Sequence, residues 1–494
     1  MNKPNAQAII ARVLEETKRR GASFTEVSFS QGRGSLDRIW DGQVYQPTAG
    51  EGMTISISAV IDGKRVNAGC DSERAIDGTI EGMFRAARLL PKTEEPFVPQ
   101  GAYPIASLPP EATFDPWAAE LGDDRLTEIV GRVNGILEPA GFVFDGVVSH
   151  HVNEFTFANS AGTFQSAKVT KAQLVVFGFD ANNRSISAYR SVAGKSLAQF
   201  PVEEIAHSVA ERLAIQKKYL ASHGGRRIDP FGGSSGPKRF DVIFEPSCWA
   251  GLLAVFSGAW NGKDYHDGTS FFSGKLGERV MGENITIWDD PLNVFGVPEA
   301  FDDEGYPTKK LLLVEKGIAR NVVYDNAMAK RIPERLARKF AEENGVAYND
   351  ALVRKLAEEH GIRPTGHALP PAWRYYGAAP GHLVVEGGTS TIEDMIKASK
   401  KPTLLVTTLR YIRQTHQQDG RETGTTLHGM YLVENGEIVG PTKRLRFDES
   451  IPEALSRVTH IGPSVPTLSM ETEDTPQIVP PMRSEGFMIR ECLD

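Results

Sequence analysis

The chain is 494 residues long, which is more than one hydrophobic core usually supports and predicts two or three domains. Its content of 40% apolar and 24% charged residues is typical of a globular protein in water. The net charge of -8 argues against nucleic acid as a partner, because binding to phosphates needs a surplus of Lys and Arg on at least one face.

The cysteines limit the kinds of site that are expected. Cys70, Cys248 and Cys492 lie far apart in the sequence and form no CxxC pair. This spacing favours neither a disulfide framework nor a cysteine-rich zinc module. It is consistent with a reducing compartment.

The first predicted unit, residues 1–100, is an α+β domain. Residues 6–20 carry apolar side chains at helical spacing, but the apolar run is too short for a signal sequence or a membrane span. We therefore expect a cytoplasmic protein without membrane contact. Alternating apolar and polar residues predict strands at 26–31, 36–40 and 52–61. A helix is predicted after them, at residues 72–89.

The second predicted unit, residues 110–225, follows a stretch rich in Pro and Glu that is interpreted as a linker. Helices are predicted at residues 125–137 and 202–220. Between them the pattern predicts long strands, at 143–153, 154–159, 167–179 and 184–193. Strands with one apolar and one polar face favour an antiparallel sheet that is covered on one side.

The third predicted unit, residues 237–494, begins with a strand at 240–244 and an apolar helical run at 249–256, and a further strand is predicted at 283–288. The ENGE turn at 434–437 of this unit and the IDGK turn at 61–64 of the first unit predict hairpins. A helical insertion is predicted at about 326–380, with helices at 333–344 and 350–360. The Pro-rich stretch after them contains Trp373, Tyr375 and Tyr376, which are expected to pack at a cleft or an interface. The predicted fold class is α+β, with mixed, largely antiparallel sheets and flanking helices in two to three domains.

Several motifs in this third unit carry a resemblance to a known family. They are SFFSGKLGERV at 270–280, ITIWDDP at 285–291, AFDDEGYPT at 300–308, GTSTIEDMI at 388–396 and ENGEIVGPTKRLRF at 434–447. Weaker matches are AYRS at 188–191 and NSAGTF at 159–164. In this order the motifs resemble the TldD/PmbA family. The resemblance implies a cytoplasmic zinc metalloprotease assembled from two types of subunit, TldD-like and PmbA-like (also called TldE-like).

The sequence departs from the TldD-like pattern at the residues that bind the metal. In TldD-like members the strand that corresponds to residues 240–244 leads into a helix with HExxxH, whose histidines bind zinc while the Glu acts as general base. Residues 244–253 read FEPSCWAGLL and offer only Glu245 and Cys248 as ligands. The resemblance therefore implies a PmbA-like chain without catalytic or metal-binding residues, and it implies zinc in a TldD-like partner.

Six residues are candidates for contact with a peptide substrate. The resemblance implies that the strand with Arg410, Tyr411 and Arg413 borders a peptide cleft, where their side chains could contact a peptide backbone or carboxylates. Asp302 and Asp303 are candidates in an acidic turn, although capping of backbone donors is the simpler interpretation of such a turn. His266, in the Gly-rich DYHDG loop, is a candidate whose alternative role is an ordinary surface hydrogen bond.

Three functions stay open at this point. The first is a non-catalytic subunit that pairs with a TldD-like chain, or with itself, to degrade or process unfolded peptides. The second is a peptidase that acts alone through an unrecognised site. The third is a module for peptide binding or assembly. Whether this chain is itself an enzyme is not decided by its sequence.

Overall fold

The described part of the chain, in a computed structural model, comprises residues 5–91, 97–99, 101–106, 108–116, 123–234, 236–371, 373–472 and 475–492. Its helices and strands confirm the predicted α+β class with mixed, largely antiparallel sheets. The helices are α1 (Ala6–Arg19), α2 (Ile76–Leu89), α3 (Pro110–Thr113), α4 (Asp123–Leu137), α5 (Val202–Ser222), α6 (Pro246–Phe256), α7 (Gly262–Asp267), α8 (Asn326–Asn344), α9 (Asp350–Glu359), α10 (Ile392–Ala398) and α11 (Ile451–Ser456).

The first sheet is antiparallel and has the order β3-β2-β1-β4-β5-β6. Strands β1 and β4 pair from Glu26 to Ile39 of β1, so the first two predicted units share one sheet. The strands predicted at 26–31 and 36–40 form one continuous strand, β1, and those predicted at 143–153 and 154–159 form one strand, β4. The bounds are β1 (Phe24–Trp40), β2 (Gln43–Ile61), β3 (Lys64–Cys70), β4 (Phe142–Asn159), β5 (Phe164–Asp180) and β6 (Asn183–Gly194).

The hairpins of this fold form where the sequence predicts them. Asp62 and Gly63 of the IDGK turn both have positive φ, 51° and 72°, as a type I′ turn requires. Asn435 and Gly436 of the ENGE turn have φ of 52° and 84°. Glycine tolerates this conformation without steric cost, and Asn and Asp tolerate it better than other residues.

Helices cover one face of the first sheet. Helices α1 and α2 pack on Val27 and its neighbours, whereas α4 and α5 pack on Val148 and its neighbours. Val27 pairs with Ala158, and Asp37 pairs with Val148, so both helix pairs lie on the same face. The opposite face carries Glu26 and the other even-numbered residues of β1, and it turns towards the C-terminal part.

The C-terminal part contains two further sheets. One has the order β10-β9-β8-β11-β18-β17, and the other has the order β12-β7-β19-β15-β13-β14. In this last sheet β12 also pairs with β13, so five of its strands close into a ring: β12, β7, β19, β15 and β13. The bounds are β7 (Lys238–Phe244), β8 (Ile287–Asp289), β9 (Leu311–Glu315), β10 (Ile318–Ala319), β11 (Leu383–Val385), β12 (Thr403–His416), β13 (Arg421–Glu434), β14 (Glu437–Pro441), β15 (Leu445–Ser450), β16 (Val458–Ile461), β17 (Val465–Thr467), β18 (Gln477–Val479) and β19 (Met482–Glu491).

Helix α6 is buried at the centre of the largest core cluster. It begins at Pro246, where proline is favoured because the first helical N–H needs no partner, and so it starts three residues earlier than predicted. Cys248, Trp249 and Leu253 are fully buried. A helix that is apolar around most of its circumference is expected to be buried, and α6 confirms this.

The sequence places some boundaries wrongly. The strand predicted before Asp289 is only three residues long in β8. Helix α8 begins seven residues before Pro333, because Asp325 caps it by accepting the Met328 N–H at 2.7 Å. Proline is thus tolerated inside this helix. Among the described residues, no helix is long and apolar enough to cross a membrane.

Candidate functional site

The junction between β7 and α6 holds a buried carboxylate. Glu245 ends the strand and precedes the helix, and its N–H donates to the Val406 carbonyl of β12 at 3.1 Å. Its side chain is 3% exposed. Arg190 of β6 donates from both Nη atoms to the two carboxylate oxygens, and Arg212 of α5 donates to Oε1 at 3.1 Å. We refer to Glu245, Arg190 and Arg212 as the Glu245 cluster.

Neighbouring side chains hold both guanidinium groups in place. Arg190 donates from Nε to Ser208 Oγ at 3.0 Å. Arg212 lies 5.6 Å from the centre of the Tyr431 ring, and the Tyr431 hydroxyl donates to the Arg212 carbonyl at 2.9 Å. Burial raises the pKa of Tyr431 to about 12, so the phenol stays neutral. The cluster therefore combines one negative and two positive charges out of contact with most of the solvent.

The residues at this junction do not fit the zinc site of TldD-like proteins. Zinc needs about three N, S or O ligands and, in a catalytic site, an open position. Both Glu245 oxygens already accept hydrogen bonds from guanidinium groups, whose positive charges would repel a metal ion. Burial raises the pKa of the Cys248 thiol well above its usual value, which disfavours the thiolate that zinc binds.

Within the residues that the structure describes, no group of three or more His, Cys, Asp and Glu side chains is arranged to hold a metal ion. Helix α6 itself contains no histidine. We conclude that the β7–α6 junction of this chain is built for charge pairing between protein groups.

Three of the predicted peptide-contact residues lie together on one bulge of β12. The register with β13 shifts between Arg410 and Arg413, and Tyr411 between them has a φ of 55°. The Tyr411 side chain is exposed, and the Arg410 guanidinium lies 4.6 Å from its ring centre. Arg413 donates to Glu471 at 3.2 Å. The bulge presents an aromatic ring and two cations to solvent, although contact with a peptide stays a prediction.

The expected loop around His266 is wrong. His266 lies in the short helix α7, because Asn261 caps the helix by accepting the Lys263 N–H at 2.9 Å and Gly268 ends it with a φ of 78°. His266 Nε2 lies 3.1 Å from the Tyr324 hydroxyl. Burial and the nearby His360 lower the pKa of His266 to about 4, so it is neutral near pH 7.

The acidic turn at residues 302–304 packs against the first sheet. Asp302 Oδ1 accepts the N–H groups of Glu304 and Tyr306, both at 2.9 Å, which is the capping role that the sequence favours. Its Oδ2 accepts the Ala368 N–H at 3.0 Å. Burial and the Glu304 carboxylate raise the pKa of Asp302 well above its usual value. Burial and Glu299 raise the pKa of Asp303 to about 7.

Arg374 ties this turn to the first sheet, and sequence reasoning missed it. The side chain donates to Glu26 of β1 and, at 3.2 Å, to the Asp303 carbonyl. Arg65 of β3 also donates to Glu26, at 2.9 Å. The aromatic residues beside Arg374 stack on one another and are exposed in the single chain; they are Trp373, Tyr375 and Tyr376. Their packing at an interface stays a prediction.

Comparison with known proteins identifies the family. Residues 237–491 match the family described as PmbA/TldA metallopeptidase C-terminal domain, which covers more than half of the chain. The chain belongs to the PmbA/TldD family. In this PmbA/TldD chain, the Glu245 cluster lies at the junction where the resemblance places the metal helix of TldD-like members.

Individual relatives are similar to part of the chain. An uncharacterised protein of Methanocaldococcus jannaschii is 27% identical over 234 residues, which are 47% of this chain and 51% of that protein. A metalloprotease of Methanothermobacter thermautotrophicus is 25% identical over 201 residues, or 38% of this chain and 41% of that protein. The chain thus spans about half or less of the length of these relatives.

One solved structure resembles almost the whole chain. TldE from Thermococcus kodakarensis has a TM-score of 0.77 and 20% identity, over 98% of this chain and 100% of that one. At 20% identity the structural similarity establishes the fold alone. The PmbA/TldD fold therefore includes the first sheet as well as the matched C-terminal part.

We predict that Glu245→Gln lowers the free energy of unfolding by about 3–5 kcal/mol, because it leaves two buried guanidinium groups without their carboxylate. Denaturation in urea, followed by circular dichroism, measures this change. Glu315→Gln is the matched control, since Glu315 pairs with Arg320 at 2.7 Å at an exposed position. The control should lose less than about 1 kcal/mol. Equal losses in both variants would contradict the buried role of Glu245.

We also predict a pH-dependent effect of Asp303→Asn. The pKa of about 7 in the fold lies above the value of about 4 in an unfolded chain, so the folded state binds more protons between these values. The stability that Asp303 contributes is present at low pH and is lost as the pH rises from about 4 to about 7. Asn does not titrate, so the variant should gain stability relative to the wild type across this range.

Denaturation midpoints at several pH values measure the difference between wild type and Asp303→Asn. Asp71→Asn, at an exposed position, controls for the change of charge. A difference between wild type and Asp303→Asn that stays constant from pH 4 to pH 8 would show that the fold does not perturb this carboxyl.

Proposed function

We propose that this chain is the non-catalytic, TldE-like subunit of a two-subunit metalloprotease that degrades or processes unfolded peptides. The observation that carries the proposal is the Glu245 cluster, which uses both oxygens of the only carboxylate at the β7–α6 junction for pairing with arginine. In this proposal the HExxxH helix of a TldD-like partner would hold the zinc, which would supply Lewis-acid chemistry for peptide hydrolysis.

The contribution of this chain is then to bind and position the peptide. The β12 bulge exposes the Tyr411 ring, with the half-buried Arg410 guanidinium beside it, and this pair suits an extended peptide with carboxylate groups. The exposed rings of Trp373, Tyr375 and Tyr376 suit contact with a second subunit, since exposed aromatic clusters are often interface residues. That subunit is the TldD-like chain or, for the chain in isolation, a second copy of this one.

Two kinds of comparison support the proposal. The solved structure with the same fold is named TldE, and one relative is named a metalloprotease. These names belong to those proteins. They agree with a peptidase complex as the place where this chain acts, in a compartment that we expect to be the cytoplasm.

The test is peptide hydrolysis with and without a partner. The purified chain, with zinc added, should not cleave a fluorogenic unfolded peptide, whereas a mixture with the TldD-like chain from the same cell should cleave it. In that mixture Cys248→Ala and Glu245→Gln, assayed below their unfolding transitions, should change the turnover by less than about threefold. Loss of a general base or a metal ligand would lower it by about a hundredfold or more.

Two outcomes would contradict the proposal. Hydrolysis by the chain alone, abolished by Glu245→Gln, would show a peptidase that needs no partner. Tight peptide binding without hydrolysis in any mixture, and without a complex in size-exclusion chromatography, would indicate a binding or assembly module.

A further inference from the structure

A polar groove crosses the face of the first sheet that the helices do not cover. Its volume is ≈ 570 Å³, within the range of about 300–1,000 Å³ that is usual for ligand sites. It runs along β1 from Ser30 to Arg38 and lies between β2 and β4. The side chains that line it include Arg38, Gln46, Thr48, Thr54, His151 and Asn153.

Four glycines form the floor of this groove. They face each other in the antiparallel register, where Gly32 pairs with Gly52 and Gly34 pairs with Gly50. A Cβ atom at Gly50 or Gly52 would meet no protein atom within 4 Å, so bare backbone of β2 borders open space there. Neither residue has a positive φ, which means that their backbone conformation does not itself require glycine.

The glycines of β1 make room for two side chains of β4. A Cβ at Gly32 would overlap the Asn153 amide, and a Cβ at Gly34 would overlap the His151 imidazole. These two side chains therefore lie flat across β1 at the groove. A hydrogen-bonding amide and an imidazole next to exposed backbone suit a ligand that has peptide groups of its own.

The charge of the groove differs from that of the chain. Arg38 is exposed on the groove face, and the lining residues that the structure describes include no Asp or Glu. The whole chain has a net charge of -8. A positive charge in a groove without acidic lining residues favours an anionic ligand, and a guanidinium group binds carboxylates with good geometry.

We propose that this groove binds an extended, acidic peptide segment. The identity of the ligand as a peptide rests on the proposed function, whereas its negative charge rests on the lining. Nine residues of β1, from Ser30 to Arg38, span about 30 Å, which is long enough for a stretch of extended chain rather than a single anion. The groove lies on the same sheet face as Glu26, where the C-terminal part docks through Arg374.

Binding to the isolated full-length chain tests this proposal. The probe is a fluorescein-labelled, unstructured peptide of Gly, Ser and Glu, and fluorescence anisotropy measures its Kd. A peptide of the same length with Lys in place of Glu is the matched probe. The acidic peptide should bind at least about tenfold more tightly, and its binding should weaken as salt is added.

Two variants locate the site. Gly52→Leu fills the floor of the groove and should weaken binding by about tenfold, and Arg38→Gln should weaken it by about fivefold. Ala49→Leu adds the same bulk to the other face of β2 and should change the Kd by less than about twofold. Circular dichroism confirms that each variant is folded.

Three results would overturn the proposal. They are equal affinity for the acidic and basic peptides, a Kd that neither Gly52→Leu nor Arg38→Gln changes, and equally tight competition by a single-stranded oligonucleotide. Because the assay needs no partner, its result does not depend on whether a two-subunit protease forms. If such a protease forms but these variants bind acidic peptide normally, the groove proposal alone fails.

Discussion

The structure depends on a carboxylate that water does not reach. Glu245 lies at the end of a central strand and the start of a fully buried helix, where an unpaired charge would be very costly. Arg190 and Arg212 pair with it and thereby join β6 and α5 of the first sheet to the core of the C-terminal part. The same three residues bear on the chemistry, because both carboxylate oxygens at this junction accept hydrogen bonds from guanidinium groups, whose positive charges disfavour a metal ion there.

A second ionic contact joins the two parts elsewhere. Arg374 connects Glu26 of the first sheet with the acidic turn at residues 302–304, where burial and neighbouring carboxylates raise the pKa of Asp302 and Asp303. The uncovered face of the sheet also carries the glycine-floored groove. The two ionic contacts thus fix the position of the sheet and leave a polar surface free for a ligand.

Local signals in the sequence predicted the fold class, the α6 helix and the hairpins, because they act over a few residues. The Asn-Gly and Asp-Gly turns and the apolar run around Trp249 are of this kind. The sequence does not indicate the partners of Glu245, because Arg190 and Arg212 lie 55 and 33 residues away from it. Only the tertiary fold brings the three residues together. A lone Glu at the edge of a buried helix was the available signal, because such a charge needs a partner. Asn261 is the local signal for the helix that contains His266, because Asn is a favoured N-cap residue.

The central claim is that the β7–α6 junction pairs charges within the protein and does not bind zinc. Its most direct test is the zinc content of the isolated chain after incubation with zinc and removal of the excess by dialysis, measured by inductively coupled plasma mass spectrometry. Wild type and Glu245→Gln should both contain far less than one zinc per chain, and the two values should agree. One zinc per wild-type chain that Glu245→Gln removes would contradict the account.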